Sequence, residues 1–254
     1  MTLAAILGIA VFFVSLVLTM VGLGGGLIFS PLFLIMGLAK ADAASASLFL
    51  NLIAAASAAS TYARKRMVDF ALAFPLIISS SLAAPVGAYL NARIDIQPFL
   101  LIMAVVLAAA GTRMVVSPPS DDGGGVRIAP SRRFFAGIVI GGAIGLMGGL
   151  LGIGGGIFIV PLLIYVLKTP TKIAAASSTF IVCFSSLTGF LGYASLKTVD
   201  WSFILPLAVA SFAGGQIGAR IMSSRMKGQS IRIIFGVVLF LLCIKLLHRA
   251  LFAV

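Results

Sequence analysis

Side chains that could do chemistry are scarce in this sequence. The acidic residues number six. All are Asp: Asp42, Asp69, Asp95, Asp121, Asp122 and Asp200. Each falls near the end of an apolar stretch or in a polar central segment, whereas a cation pump keeps a carboxylate at membrane depth. Asp42 is the one candidate exception. The single His, His248, sits near the C-terminal end, and Cys183 and Cys243 stand isolated in apolar runs without metal spacing. No metal or other cofactor is therefore expected. An intramembrane hydrolase would need a nucleophile with a base, a metal set or paired acids at depth. The sequence offers none of these, so an enzyme is the weaker expectation.

What remains is backbone. Gly22-Leu-Gly24-Gly25-Gly26 followed by Pro31 returns as Gly152-Ile-Gly154-Gly155-Gly156 followed by Pro161. Glycine permits positive φ and close approach of another group, and proline suits the first turn of a helix. Each copy reads as a break between two helical pieces, with bare N–H groups at the start of the second piece. Such an end favours an anion. Hydroxyl and amide groups follow in both halves: Ser45, Ser47 and Asn51 in the first, Ser177, Ser178 and Thr179 in the second. The candidate substrate-binding set is Gly24, Gly25, Gly26, Pro31, Ser47, Asn51, Gly154, Gly155, Gly156, Pro161, Ser177, Ser178 and Thr179, with Ser47 and Ser177 read as equivalent positions. The competing reading is that the glycines serve close helix packing and the hydroxyls ordinary interhelical hydrogen bonds.

The elements that must position these groups are membrane spans. Hydrophobic residues make up 61% of the 254-residue chain and charged residues 9%, against about 25% charged in soluble domains. The net charge of +12 does not point to nucleic acid, because the basic residues are scattered in short loops between apolar runs, as membrane topology requires. Long apolar runs fall at 3–21, 41–63, 70–90, 99–116, 134–151, 173–194, 201–222 and 231–247, with short ones at 27–38 and 157–167. The first run lacks a basic start and a clear cleavage site, and reads as a retained span. The expected fold is an all-α polytopic membrane protein with about eight main transmembrane helices and two short, Gly-broken re-entrant ones.

The halves align with a shift of about 130 residues. Val68-Asp69-Phe70 matches Val199-Asp200-Trp201, Pro75 matches Pro206, and Gly87-Ala88 matches Gly218-Ala219. The expected division is repeat 1 at 1–116, a cytoplasmic linker at 117–131 and repeat 2 at 132–254. If the chain turns back at each glycine break, the 18 Lys and Arg residues divide thirteen against five between the two sides. A single crossing there would divide them ten against eight. The first arrangement follows the positive-inside rule. It makes the repeats inverted, as in secondary transporters with broken helices, and places both termini outside.

The two glycine–proline motifs, the small polar spans after them and the duplicated layout resemble the sulfite exporter TauE/SafE family. The resemblance implies a permease of the cell (inner) membrane for sulfite, sulfonates and related sulfur-containing anions. A secondary transporter with a small anionic substrate, working by alternating access between the repeats in the lipid bilayer, is the leading expectation. A homo-oligomer is compatible with it. A membrane accessory or assembly protein without a pathway is the alternative, with an intramembrane enzyme behind it. Substrate, direction, coupling and oligomeric state are left open by the sequence.

Overall fold

A computed structural model describes residues 3–91, 130–195 and 200–252, together with positions 108, 111, 112, 114 and 116. The apolar run expected at 99–116 and the linker at 117–131 fall almost wholly outside the described residues, as does the His248 side chain. Among the described residues there are nine helices and no strand. They are α1 (Leu3–Met20), α2 (Gly26–Ile35), α3 (Lys40–Arg64), α4 (Phe70–Asn91), α5 (Pro130–Leu151), α6 (Gly156–Tyr165), α7 (Thr171–Ala194), α8 (Trp201–Arg225) and α9 (Gly228–Phe252). Five of these (within α3, α4, α5, α7 and α8) are long and apolar enough to cross a membrane. The fold is that of a multi-pass membrane protein. Side chains such as Phe70, Phe74, Ile78 and Leu82 on one face of α4 are exposed, as a lipid-facing surface requires.

Glycine explains how closely the helices approach. Along α5, Gly137, Gly141, Gly145 and Gly149 face Pro75, Leu76, Ser80 and Ala84 of α4. Along α8, Gly214 and Gly218 face the carbonyls of Phe12 and Leu16 in α1. Small residues allow this backbone-to-backbone packing, the main attraction between helices in lipid. The turns into α4 and α8 carry matched caps. Leu72 N–H donates to Asp69 Oδ1 at 3.2 Å, and the N–H groups of Ser202 and Phe203 donate to Asp200 Oδ1 at 3.1 and 3.2 Å. Such an acceptor satisfies orphan donors of the first turn.

Contact order along each pair gives helix direction. Gly214 meets Phe12 and Gly218 meets Leu16, so α1 and α8 run parallel. Gly137 meets Pro75 and Gly149 meets Ala84, so α4 and α5 run parallel. Leu48 meets Gly189 and Asn51 meets Ser186, so α3 and α7 run antiparallel. The antiparallel pair consists of corresponding helices from the two sequence copies. The copies therefore point in opposite directions where they cross, as the charge argument required.

Candidate functional site

Each glycine motif performs three successive tasks. The first glycine ends the preceding helix. Gly22 and Gly152 adopt φ values of 89° and 68°. Around them Leu23 N–H donates to Leu18 O at 2.9 Å and Ile153 N–H to Gly148 O at 3.0 Å. This glycine-centred cap closes the carbonyls of a helix C-terminus. Two tyrosines reinforce it in matching fashion, with Tyr62 Oη donating to Thr19 O at 2.9 Å and Tyr193 Oη to Gly149 O at 3.1 Å. The second glycine, Gly24 or Gly154, keeps φ positive at 71° or 73°. The last two glycines begin the half-helices α2 and α6.

The two breaks touch each other in the centre of the molecule. A Cβ on Gly26 would stand 3.0 Å from Ile153 O, and one on Gly156 would stand 2.8 Å from Leu23 O. A Cβ on Gly22 would stand 2.7 Å from Ala175 Cα of α7, and one on Gly152 2.8 Å from Ala44 Cα of α3. These paired contacts fix the register between α3 and α7. In that register Ser47 corresponds to Ser178, which corrects the expected pairing with Ser177. Both α2 and α6 have ten residues, about 15 Å of helix. They start beside the middle of α3 and α7 and run outward toward opposite ends, so each covers about half of a bilayer core.

Asn51 fills the space between the breaks. Its Oδ1 accepts from the N–H groups of Gly25 and Gly26, the latter at 3.0 Å. Its Nδ2 donates to Ser186 Oγ of α7 at 2.7 Å. One carboxamide thus occupies the N-terminus of α2 and ties it to the other sequence copy. Its equivalent in the second copy is Val182, which packs against Gly154 and Gly156. Gly155 precedes α6 in the left-handed region with φ 78°, while Gly25 has φ −113°. The N–H groups of Gly155, Gly156 and Ile157 make no hydrogen bond among the described residues. The two breaks are therefore alike in path and unlike in chemistry.

The expected site residues divide accordingly. Gly24, Gly25, Gly26, Asn51 and Gly154 converge at the centre, with Gly155 and Gly156 completing the second break. Ser47 Oγ donates to Gly26 O at 2.8 Å and Ser178 Oγ to Gly22 O at 2.7 Å, so both brace the breaks. Ser177 lies elsewhere, accepting from Asp69 N–H at 2.9 Å at the turn into α4. Thr179 donates within its own helix to Ala175 O at 3.0 Å. Pro31 and Pro161 lie inside α2 and α6, as their sixth residues, where the expectation placed them at the helix start. The helices begin earlier, with Gly25 and Gly155 at the N-cap and Gly26 and Gly156 as the first helical residues. Asp42 stands in the first turn of α3, at a helix end rather than at mid-depth. The residues missed are Ser185 and Ser186. Ser185 Oγ donates to Gly154 O at 2.9 Å. Counting seven and eight residues on from Ser178 places them on the same helical face, a signal present in the sequence.

The chain matches the family model "Sulfite exporter TauE/SafE" over residues 7–246. It is 26% identical over 257 residues to the probable membrane transporter protein YunE of Bacillus subtilis, covering 92% of this chain and 94% of that relative. It is 28% identical over 248 residues to a probable membrane transporter protein of Xylella fastidiosa, covering 93% and 92%. A third relative, sulfite exporter TauE/SafE family protein 3 of Arabidopsis thaliana, is 30% identical over 106 residues, covering 40% of this chain and 22% of that protein. No solved structure matches the chain.

Proposed function

This chain belongs to the sulfite exporter TauE/SafE family and is a membrane transporter, and on that premise we propose that it is a secondary transporter of small sulfur-containing or organic anions, sulfite and sulfonates first among them. It works by alternating access between two inverted halves. It resides in the cell membrane, with the linker at 117–131 in the cytoplasm and both termini outside. The observation that carries this reading is the meeting of two half-helix N-termini at one central point, one capped by Asn51 and one uncapped. A neutral carboxamide oxygen on the N–H groups of Gly25 and Gly26 occupies the position an anionic oxygen would take. Half-helices that aim their positive ends at a substrate anion near the midplane are a recurrent transporter arrangement. Substrate oxygens would displace Asn51 Oδ1 and reach Gly155 and Gly156 across the break. Sulfite and sulfonates present several oxygens around one centre, which suits donors arriving from two sides.

One observation fits the packing reading as well. The breaks touch, and Asn51, Ser47 and Ser178 are fully buried, which suits a closed state and equally a protein without a pathway. Flux separates the two. In proteoliposomes, uptake is measured for sulfite, thiosulfate, sulfoacetate, taurine, sulfate and lactate at matched ionic strength. Saturable uptake of a sulfur oxyanion, accompanied by saturable thermal stabilisation, is the expected result. Uptake no faster than into protein-free vesicles for every anion would return the glycine breaks to a packing role.

A further inference from the structure

Chain order and spatial grouping disagree in this fold. The helix that follows α3 in sequence, α4, packs on α5 and α7 of the second copy. Its counterpart α8 packs on α1 and α3 of the first copy. Sorted by contact, α1 to α8 form one bundle of α1, α2, α3 and α8 and another of α4, α5, α6 and α7. Each bundle holds three helices of one repeat and the fourth helix of the other.

The seams inside each bundle are backbone on backbone. A Cβ on Gly215 of α8 would stand 2.5 Å from Ala54 O of α3, and Ser211 Oγ donates to Leu50 O at 2.8 Å. Ser15 Oγ and Ser211 Oγ are 2.9 Å apart between α1 and α8. Gly141, Gly145 and Gly149 leave no room for a side chain between α5 and α4. Surfaces this close cannot slide without overlap. Between the bundles, the principal helix contact is the α3–α7 crossing. There a Cβ on Gly189 would stand 3.3 Å from the tip of the Leu48 side chain of α3, and 3.7 Å from Ala84 Cβ of α4 in its own bundle. Backbone approaches as close as those inside the bundles occur between them at the breaks, where a Cβ on Gly22 would stand 2.7 Å from Ala175 Cα and one on Gly152 2.8 Å from Ala44 Cα, and the Asn51–Ser186 hydrogen bond spans the crossing beside them.

We infer that the bodies that move during transport are these exchanged bundles and not the sequence repeats. The α1–α2–α3–α8 bundle rocks against α4–α5–α6–α7 about the α3–α7 crossing, and the Asn51–Ser186 hydrogen bond latches the closed state. This inference rests on the proposed function for its motion and goes beyond it in naming the moving parts.

Site-directed cross-linking tests it. The background carries Cys183→Ser and Cys243→Ala. Dibromobimane joins cysteine pairs through thioethers, which withstand sulfite where a disulfide would not. The pair Ser15→Cys with Ser211→Cys joins different repeats within one bundle. The pair Ala41→Cys with Ala194→Cys joins the two bundles at one end of α3 and α7, where both residues pack on the same apolar cluster away from the crossing. Sulfite flux is compared with single-cysteine variants carrying monobromobimane. Linking 15 to 211 should leave more than half of the flux, and linking 41 to 194 should cut it more than tenfold. Flux blocked by the first link, or spared by the second, overturns the inference. Absence of sulfite flux in the unlinked parent counts against the proposed substrate alone. The grouping is then decided without flux, by nitroxide distances in nanodiscs. Ile6→Cys with Arg225→Cys, one bundle but two repeats, should give a single narrow separation. Phe134→Cys with Arg225→Cys, one site on each bundle, should give a broad or double one. The opposite pattern overturns the grouping.

Discussion

At the residue scale the molecule turns on Asn51. A buried carboxamide has one acceptor and two donors to satisfy, and here the acceptor serves Gly25 and Gly26 while a donor serves Ser186. Asn51→Ala leaves those buried N–H groups without a partner. It should cost about 1–3 kcal/mol of stability, read as a lower midpoint of thermal unfolding in detergent. Asn51→Asp is the sharper test. It keeps the shape and places a carboxylate where the substrate oxygen is proposed to sit, next to the positive end of α2. The variant should stay folded, yet lose sulfite flux more than tenfold and lose stabilisation by sulfite. Retention of both would remove Asn51 from the anion's path. The placing of Asn51, Ser47 and Ser178 at the breaks was legible in the sequence because polar groups in an apolar span must find partners. Ser177 and Thr179 find theirs away from the breaks, since a hydroxyl is satisfied equally well by a neighbouring turn or by its own helix.

At the element scale the half-helices were visible as apolar runs too short to cross, bounded by glycine. Their starting points were not visible, because the choice between Gly26 and Pro31 depends on φ values that glycine leaves free. Gly25 and Gly155 occupy the same place in the motif and adopt different conformations, which no repeat alignment reveals. The same ambiguity covers the glycines of α5, and the structure resolves it position by position. A Cβ on Gly145 would run into the backbone of Ser80, whereas one on Gly142 meets nothing within 4 Å. Gly142→Ala should therefore be neutral or stabilising by up to about 1 kcal/mol, through helix propensity. Gly145→Ala should destabilise by about 1–3 kcal/mol, by forcing α4 and α5 apart. Parallel thermal melts of the two variants check the seam. Equal midpoints would mean that α4 and α5 are not in backbone contact.

At the scale of the whole molecule, inversion was legible through charge and became geometry through contacts. Since α1, α3 and α8 run together and α4, α5 and α7 run against them, helix ends sort onto two faces. Arg64, Lys65, Arg66, Lys168, Arg220, Arg225 and Lys227 are exposed and all lie on the face where α3 and α8 end. Lys40 opens α3 on the other. The exchange of α4 and α8 between bundles was not legible, because sequence similarity records which segments correspond and not which ones touch. In the orientation proposed on the positive-inside rule the basic face is cytoplasmic, and a membrane-impermeant maleimide on intact cells tests that orientation. In a background lacking Cys183 and Cys243, a cysteine at Met36, exposed just after α2, should label from outside. A cysteine at Ser224, near the end of α8, should label only after permeabilisation. Labelling in the reverse order would keep the inverted architecture and turn it over in the membrane. The uncapped half-helix α6 would then run toward the outside and the Asn51-capped α2 toward the cytoplasm, exchanging which break the anion meets first.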